Sequence, residues 1–88
     1  MSITRQDVVH KLMDYLNHRV TLSELVDWAE QAMMEGEFIG EDWETLREVV
    51  ARIGLADVRA FGLTWEDCEE FLKRLGYRAQ VVVSEVST

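Results

Sequence analysis

Apolar positions recur along this chain at helical spacing in four places. Val8, Val9, Leu12, Met13 and Leu16 form one stripe, and Leu22, Leu25, Val26, Ala29 and Met33 a second. Leu46, Val49, Val50 and Ile53 form a third; Trp65, Cys68, Phe71, Leu72 and Leu75, at i, i+3, i+6, i+7 and i+10, form a fourth. Side chains three and four residues apart share one face of an α-helix, so each stripe predicts an amphipathic helix with one buried side. Start signals precede each stripe. Thr21-Leu-Ser-Glu24 fits the capping box, in which a Thr hydroxyl and a Glu carboxylate satisfy two otherwise unpaired backbone N–H groups. Thr4 to Asp7 and Thr64 to Asp67 are versions with Asp in place of Glu, and Asp42 before Trp43 is a fourth candidate cap. Gly36, Gly54 and Gly76 follow the second, third and fourth stripes and can take the left-handed conformation that ends a helix. The predicted helices span 5–18, 22–35, 43–53 and 65–75, and their stripes should meet in one core.

Two segments lie outside these helices. Leu55 to Gly62 fits neither the helical nor the strand period well and is either a short helical turn, the preferred reading, or a short strand. Tyr77 to Val86 contains the β-branched run Val81-Val82-Val83, which predicts a strand over 77–86. A single strand needs a partner for its backbone groups: the 57–61 segment, its own copy in a second subunit, or another protein. There is no proline, low-complexity tract or repeat to suggest a linker. The expectation is a mainly α fold, a compact four-helix single domain over 1–88 with a C-terminal β-strand.

Eighty-eight residues suffice for one core and no second domain. Apolar residues make up 48% and charged residues 30%, the balance of a folded chain rather than a disordered one. No apolar run is longer than Val81–Val83, far short of the roughly 20 residues of a membrane span. The polar N-terminus, Met1 to Gln6, has no apolar stretch of the secretory type, and one cysteine makes no internal disulfide, so a cytoplasmic protein is expected.

Charge changes the picture most. Of 17 acidic residues, Glu24, Asp27, Glu30, Glu35, Glu37, Glu41, Asp42 and Glu44 fall between Val20 and Leu46, where there is no Lys or Arg. The remaining nine acids balance the nine bases, so the whole net charge of −8 sits in this stretch. A pI near 4.6 disfavours nucleic acid and anionic membranes as partners, because both are bound through Lys and Arg.

Candidate chemistry is sparse. A calcium loop starting at Glu35 would place Gly40 at its sixth position as required, but Ile39 at the fifth and Leu46 at the twelfth, where a bidentate Glu belongs. His10, Asp14 and His18 share a helical ridge, yet the two histidines stand roughly 12 Å apart along the axis at 1.5 Å per residue and cannot share one ion. Cys68 lies on an apolar stripe among Glu66, Asp67, Glu69 and Glu70, which reads as a buried core thiol. No phosphate loop, nucleophile elbow or Cys-x-x-Cys pair occurs. No catalytic residue, metal or cofactor is expected.

The acidic stretch also holds Trp28, Met33, Met34, Phe38 and Trp43. Trp28 falls about 120° from the centre of the stripe formed by Leu22, Val26, Ala29 and Met33, and Met34 lies on the opposite flank at a similar angle. Exposed Trp and Met within a charged rim is a binding-surface composition, while a Trp at the core edge is the ordinary structural alternative. Phe38 and Ile39, between Gly36 and Gly40, either plug the bundle or project as an anchor. The expected function is a non-enzymatic interaction module whose 24–48 surface meets a basic protein, of the inhibitor, immunity or antitoxin type. Its candidate contact residues are Asp27, Trp28, Glu30, Met34, Glu35, Glu37 and Phe38. The alternative is a homo-oligomeric structural or regulatory module, such as a homodimer, assembled through Val81, Val82 and Val83.

The run from Ala56 to Tyr77, Ala-Asp-Val-Arg-Ala-Phe-Gly-Leu-Thr-Trp-Glu-Asp-Cys-Glu-Glu-Phe-Leu-Lys-Arg-Leu-Gly-Tyr, with Leu25-Val-Asp-Trp-Ala-Glu30 upstream, resembles a group of small acidic bacterial proteins without assigned function. The resemblance implies a bacterial source and brings no site residues with it. His18-Arg-Val-Thr-Leu-Ser-Glu-Leu25 and the acidic balance are also similar to small helical bacterial immunity proteins that neutralise basic toxins.

Overall fold

The computed structural model describes residues 1–56 and 62–86. Four helices carry the chain: α1 (Arg5–Leu16), α2 (Leu22–Glu35), α3 (Trp43–Gly54) and α4 (Trp65–Arg74). Two short strands, β1 (Ser2–Ile3) and β2 (Glu37–Phe38), pair in parallel with Ser2 opposite Glu37 and Ile3 opposite Phe38. The Glu37 N–H donates to the Met1 carbonyl at 2.7 Å and the Ile39 N–H to the Ile3 carbonyl at 2.9 Å. The segment after α2 is therefore a strand held by the N-terminus, where the sequence suggested only a loop.

Helix starts follow the sequence closely. Thr21 Oγ1 accepts from the Glu24 N–H at 3.1 Å while Glu24 Oε1 accepts from the Thr21 N–H at 3.0 Å, a closed capping box. Thr4 with Asp7 and Thr64 with Asp67 close the same box, so the shorter Asp carboxylate reaches as well. Asp42 departs from expectation: it makes no side-chain cap bond, and its Oδ2 lies 3.8 Å from Arg5 Nε. Helix α1 ends at Leu16 rather than at 18, because Asn17 Nδ2 donates to the Met13 carbonyl at 2.9 Å and His18 turns left-handed at φ 61°. Gly76 takes the expected left-handed conformation at φ 90°, whereas Gly36 is extended at φ −79° and ends α2 by a different device described below.

The core collects Val8, Val9 and Leu12 from α1, Leu25, Ala29 and Ala32 from α2, Leu46, Val49, Val50 and Ile53 from α3, Cys68, Phe71 and Leu72 from α4, and Ile3 and Leu75 from flanking segments. Helices α2 and α3 form the most extensive contact between elements. Helix α4 is tied on by Arg52–Asp67, 3.5 Å apart, and by the Arg74–Glu48 ion pair. No helix among the described residues is long and apolar enough to cross a membrane.

The buried side of α2 is Leu25, Val26, Ala29 and Ala32. At 100° per residue this face is rotated about 40° from the expected centre at Leu22, Val26, Ala29 and Met33. At Gly36, which ends the helix, an added Cβ would stand 2.3 Å from the Ala32 carbonyl oxygen of the preceding turn and 2.8 Å from Ile3 Cγ1. Ile3 of β1 thus packs on the end of α2 where only glycine fits, and Ala32 is fully buried.

Residues 77–86 form no strand in the chain, contrary to the sequence expectation. Beyond the Tyr77 N–H bond to the Leu72 carbonyl at 2.8 Å, this segment has no backbone hydrogen bond among the described residues. β-branched residues favour a pleated conformation only where a neighbouring backbone completes the ladder. The helical turn expected over 55–62 falls mostly on residues 57–61, outside those described; Leu55 and Ala56 close a turn onto Arg52 and Ile53.

Candidate functional site

The rotation of α2 decides which of its flank residues face solvent. Measured from the observed buried side, Trp28 lies about 90° away and Met34 about 150° away at 100° per residue. Trp28 is accordingly half-buried against the core, with the Lys11 ammonium 5.8 Å from its ring centre, while Met34 is 83% exposed. The two flanks that looked equivalent in the sequence have opposite fates. Lys11, on α1, is a neighbour of this surface that nothing in the local sequence indicates, because it reaches α2 only through helix packing.

Around Met34 the surface is acidic. Asp27, Glu30 and Met34 stand at i, i+3 and i+7, one ridge of α2, and all three are exposed. Glu35 is exposed beside them and accepts a bond from Gln31 Nε2 at 3.2 Å. Glu37 projects outward from β2 while the next residue, Phe38, alternates inward and packs on the core. The structure thus places Asp27, Glu30 and Met34 on one exposed ridge, with Glu35 exposed at the last helical position and Glu37 just beyond the helix. Trp28 and Phe38 are partly buried and pack against the core.

Most acids of the 24–44 stretch form no ion pair among the described residues. Among the described residues four ion pairs form, Arg5–Asp42, Arg19–Asp14, Arg52–Asp67 and Arg74–Glu48, and Asp42 is the only member of the 24–44 stretch in any of them. Glu24 is occupied differently: the Thr21 backbone N–H, then the Thr21 hydroxyl and the Lys11 charge hold its carboxyl below the ordinary 4.5. Asp27, Glu30, Glu35, Glu37, Glu41 and Glu44 all face solvent.

No protein-family model, curated protein or solved structure matches the chain.

The other candidate chemistry takes a definite place. The His10–Asp14–His18 ridge is broken, since His18 lies beyond the end of α1 and Asp14 Oδ1 sits 3.5 Å from Arg19 Nη1. No group of three or more His, Cys, Asp or Glu side chains among the described residues could hold a metal ion. Cys68 is fully buried; burial and then the Asp67 charge push its thiol up to about 11, so the thiolate needed for nucleophilic attack is scarce at neutral pH.

Proposed function

We propose that the chain is a non-enzymatic protein–protein interaction module that presents the exposed face of α2 and β2, within the acidic surface of residues 24–48, to a basic protein, in the manner of an inhibitor, immunity or antitoxin protein. The observation that carries this reading is Met34, a large flexible apolar side chain 83% exposed between Asp27, Glu30 and Glu35, acids that make no ion pair among the described residues. A solubilising surface intersperses both signs of charge, whereas a mainly acidic field around an apolar centre suits a desolvated contact steered by long-range attraction. Met adapts to irregular partner surfaces because its side chain is unbranched and polarisable. On a nuclease-type partner these carboxylates would occupy positions meant for phosphates.

The test is binding of a basic partner, captured from lysate of the source cells, to wild type and to Met34→Ala. A central apolar contact predicts at least a tenfold rise in Kd, the equivalent of about 1.4 kcal/mol. Wild-type affinity in the Met34→Ala variant would remove this face from the account.

A further inference from the structure

We propose that residues 80–84 pair antiparallel with the same residues of a second copy of this chain, and that the ribbon so formed closes the groove between α1 and α4. Three observations converge on that segment, and none involves the acidic face. Val81, Val82 and Val83 are 68%, 79% and 91% exposed, a continuous run of uncovered β-branched side chains, and Val86 beyond them is 80% exposed. Beyond Tyr77 the segment has no backbone hydrogen bond among the described residues, so its N–H and C=O groups are available to a ladder. Beside it lies a groove of about 580 Å³ walled by Val9, Met13, Leu16, Trp65 and Leu72, with Val81 and Val82 at its rim.

Sequence symmetry and charge select the occupant. About Val82 the chain reads Gln80-Val81-Val82-Val83-Ser84, the same polar-Val-Val-Val-polar pattern in both directions. Antiparallel pairing on a two-fold axis at Val82 sets Val81 against the second copy's Val83, Gln80 against Ser84, and Val82 against itself, each polar or apolar group meeting its like. Ala79 is half-buried against the core, which fixes the inward side of an extended segment as Ala79, Val81 and Val83, since alternate residues share a face. Four valines, two from each copy, then lie over the paired grooves. Two chains of net charge −8 repel each other, but residues 77–86 carry only Arg78 and Glu85 and sum to zero, and Arg78 is the single charged residue lining the groove.

Sedimentation equilibrium over a micromolar to millimolar range, joined to cysteine crosslinking, tests the proposal. The wild-type chain of 10.2 kDa should approach twice that mass as concentration rises, and Val81→Asp/Val83→Asp should stay at the monomer mass with an unchanged far-ultraviolet circular dichroism spectrum. Under mild oxidation Val82→Cys should crosslink to itself, whereas Ser84→Cys should do so poorly alone and efficiently when mixed with Gln80→Cys. Buried Cys68 does not compete in that reaction. A monomeric wild type at every concentration overturns the proposal, as would happen if the segment pairs only with a different protein. A dimer that survives Val81→Asp/Val83→Asp, or Ser84→Cys self-crosslinking as fast as Val82→Cys, overturns it too. Replacing Glu30, Glu35 and Glu37 with Gln should leave the dimer intact, so failure of the acidic-face reading and failure of this one show separately.

Discussion

Ile3 Cγ1 stands 2.8 Å from the point that a Cβ on Gly36 would occupy, and the Ala32 carbonyl oxygen stands 2.3 Å from it. The second obstacle is backbone and cannot swing aside. Gly36→Ala should therefore distort the end of α2 and its contact with Ile3 of β1, and cost about 1–3 kcal/mol, the range for overpacking a tight site. The shift in the urea unfolding midpoint measures it, and a midpoint within error of wild type would show that β1 is not seated there.

The same contact explains how much of the fold was legible in the sequence. Helix α2 begins at Leu22 and ends at Glu35 as predicted, because a capping box and a glycine bracket a long periodic stripe. The reason for its end was not legible: Gly36 is extended and serves close approach to Ile3 instead of a left-handed turn. Ser2–Ile3 and Glu37–Phe38 are two residues each, too short for any alternation to announce a strand. The turn of α2 toward Ala32 was not legible either, and with it the distinction between half-buried Trp28 and exposed Met34. The charge segregation around Met34, by contrast, needed only the order of residues, since it lies within one helix and the strand that follows it.

Replacements along α2 should separate core from surface. Leu25 is fully buried, and Leu25→Ala should cost about 2–5 kcal/mol through lost burial and the cavity left behind. Met34→Ala should change stability by no more than about 0.5 kcal/mol, as a surface replacement does. Thermal unfolding of the two variants checks this, and a Met34→Ala loss comparable to that of Leu25→Ala would contradict the exposed position of Met34.

Acid should weaken the helix starts in a defined direction. Glu24 and Asp67 are held below their ordinary values of 4.5 and 3.8, chiefly by the backbone N–H groups of Thr21 and Thr64. Carboxyls depressed in the folded state bind fewer protons there than in the unfolded state, so stability rises with pH across this window. Their contribution is complete above the ordinary values and is lost as pH falls through the folded ones. Glu24→Ala should be less stable than wild type at pH 7, and the gap in urea midpoint should narrow below pH 4.5. A gap that stays constant down to pH 3 would contradict the role given to the Glu24 carboxylate.

Cys68 should behave as a core thiol. With its thiol pushed up to about 11 and its side chain fully buried, it should resist an aromatic disulfide reagent at pH 8 in the native protein and react rapidly in denaturing urea. Prompt reaction in the native state would show that α4 opens more readily than its packing implies.

The proposed binding of a basic protein rests on the carboxylates of the α2 and β2 face. Its most direct test is the affinity of the captured partner for wild type and for Glu30→Gln/Glu35→Gln/Glu37→Gln across a series of salt concentrations. Carboxylates that steer and hold a basic surface predict a wild-type affinity that falls steeply with salt, and a triple variant that binds more weakly at low salt with a flattened dependence. A triple variant with the wild-type affinity and the wild-type salt profile would contradict the claim.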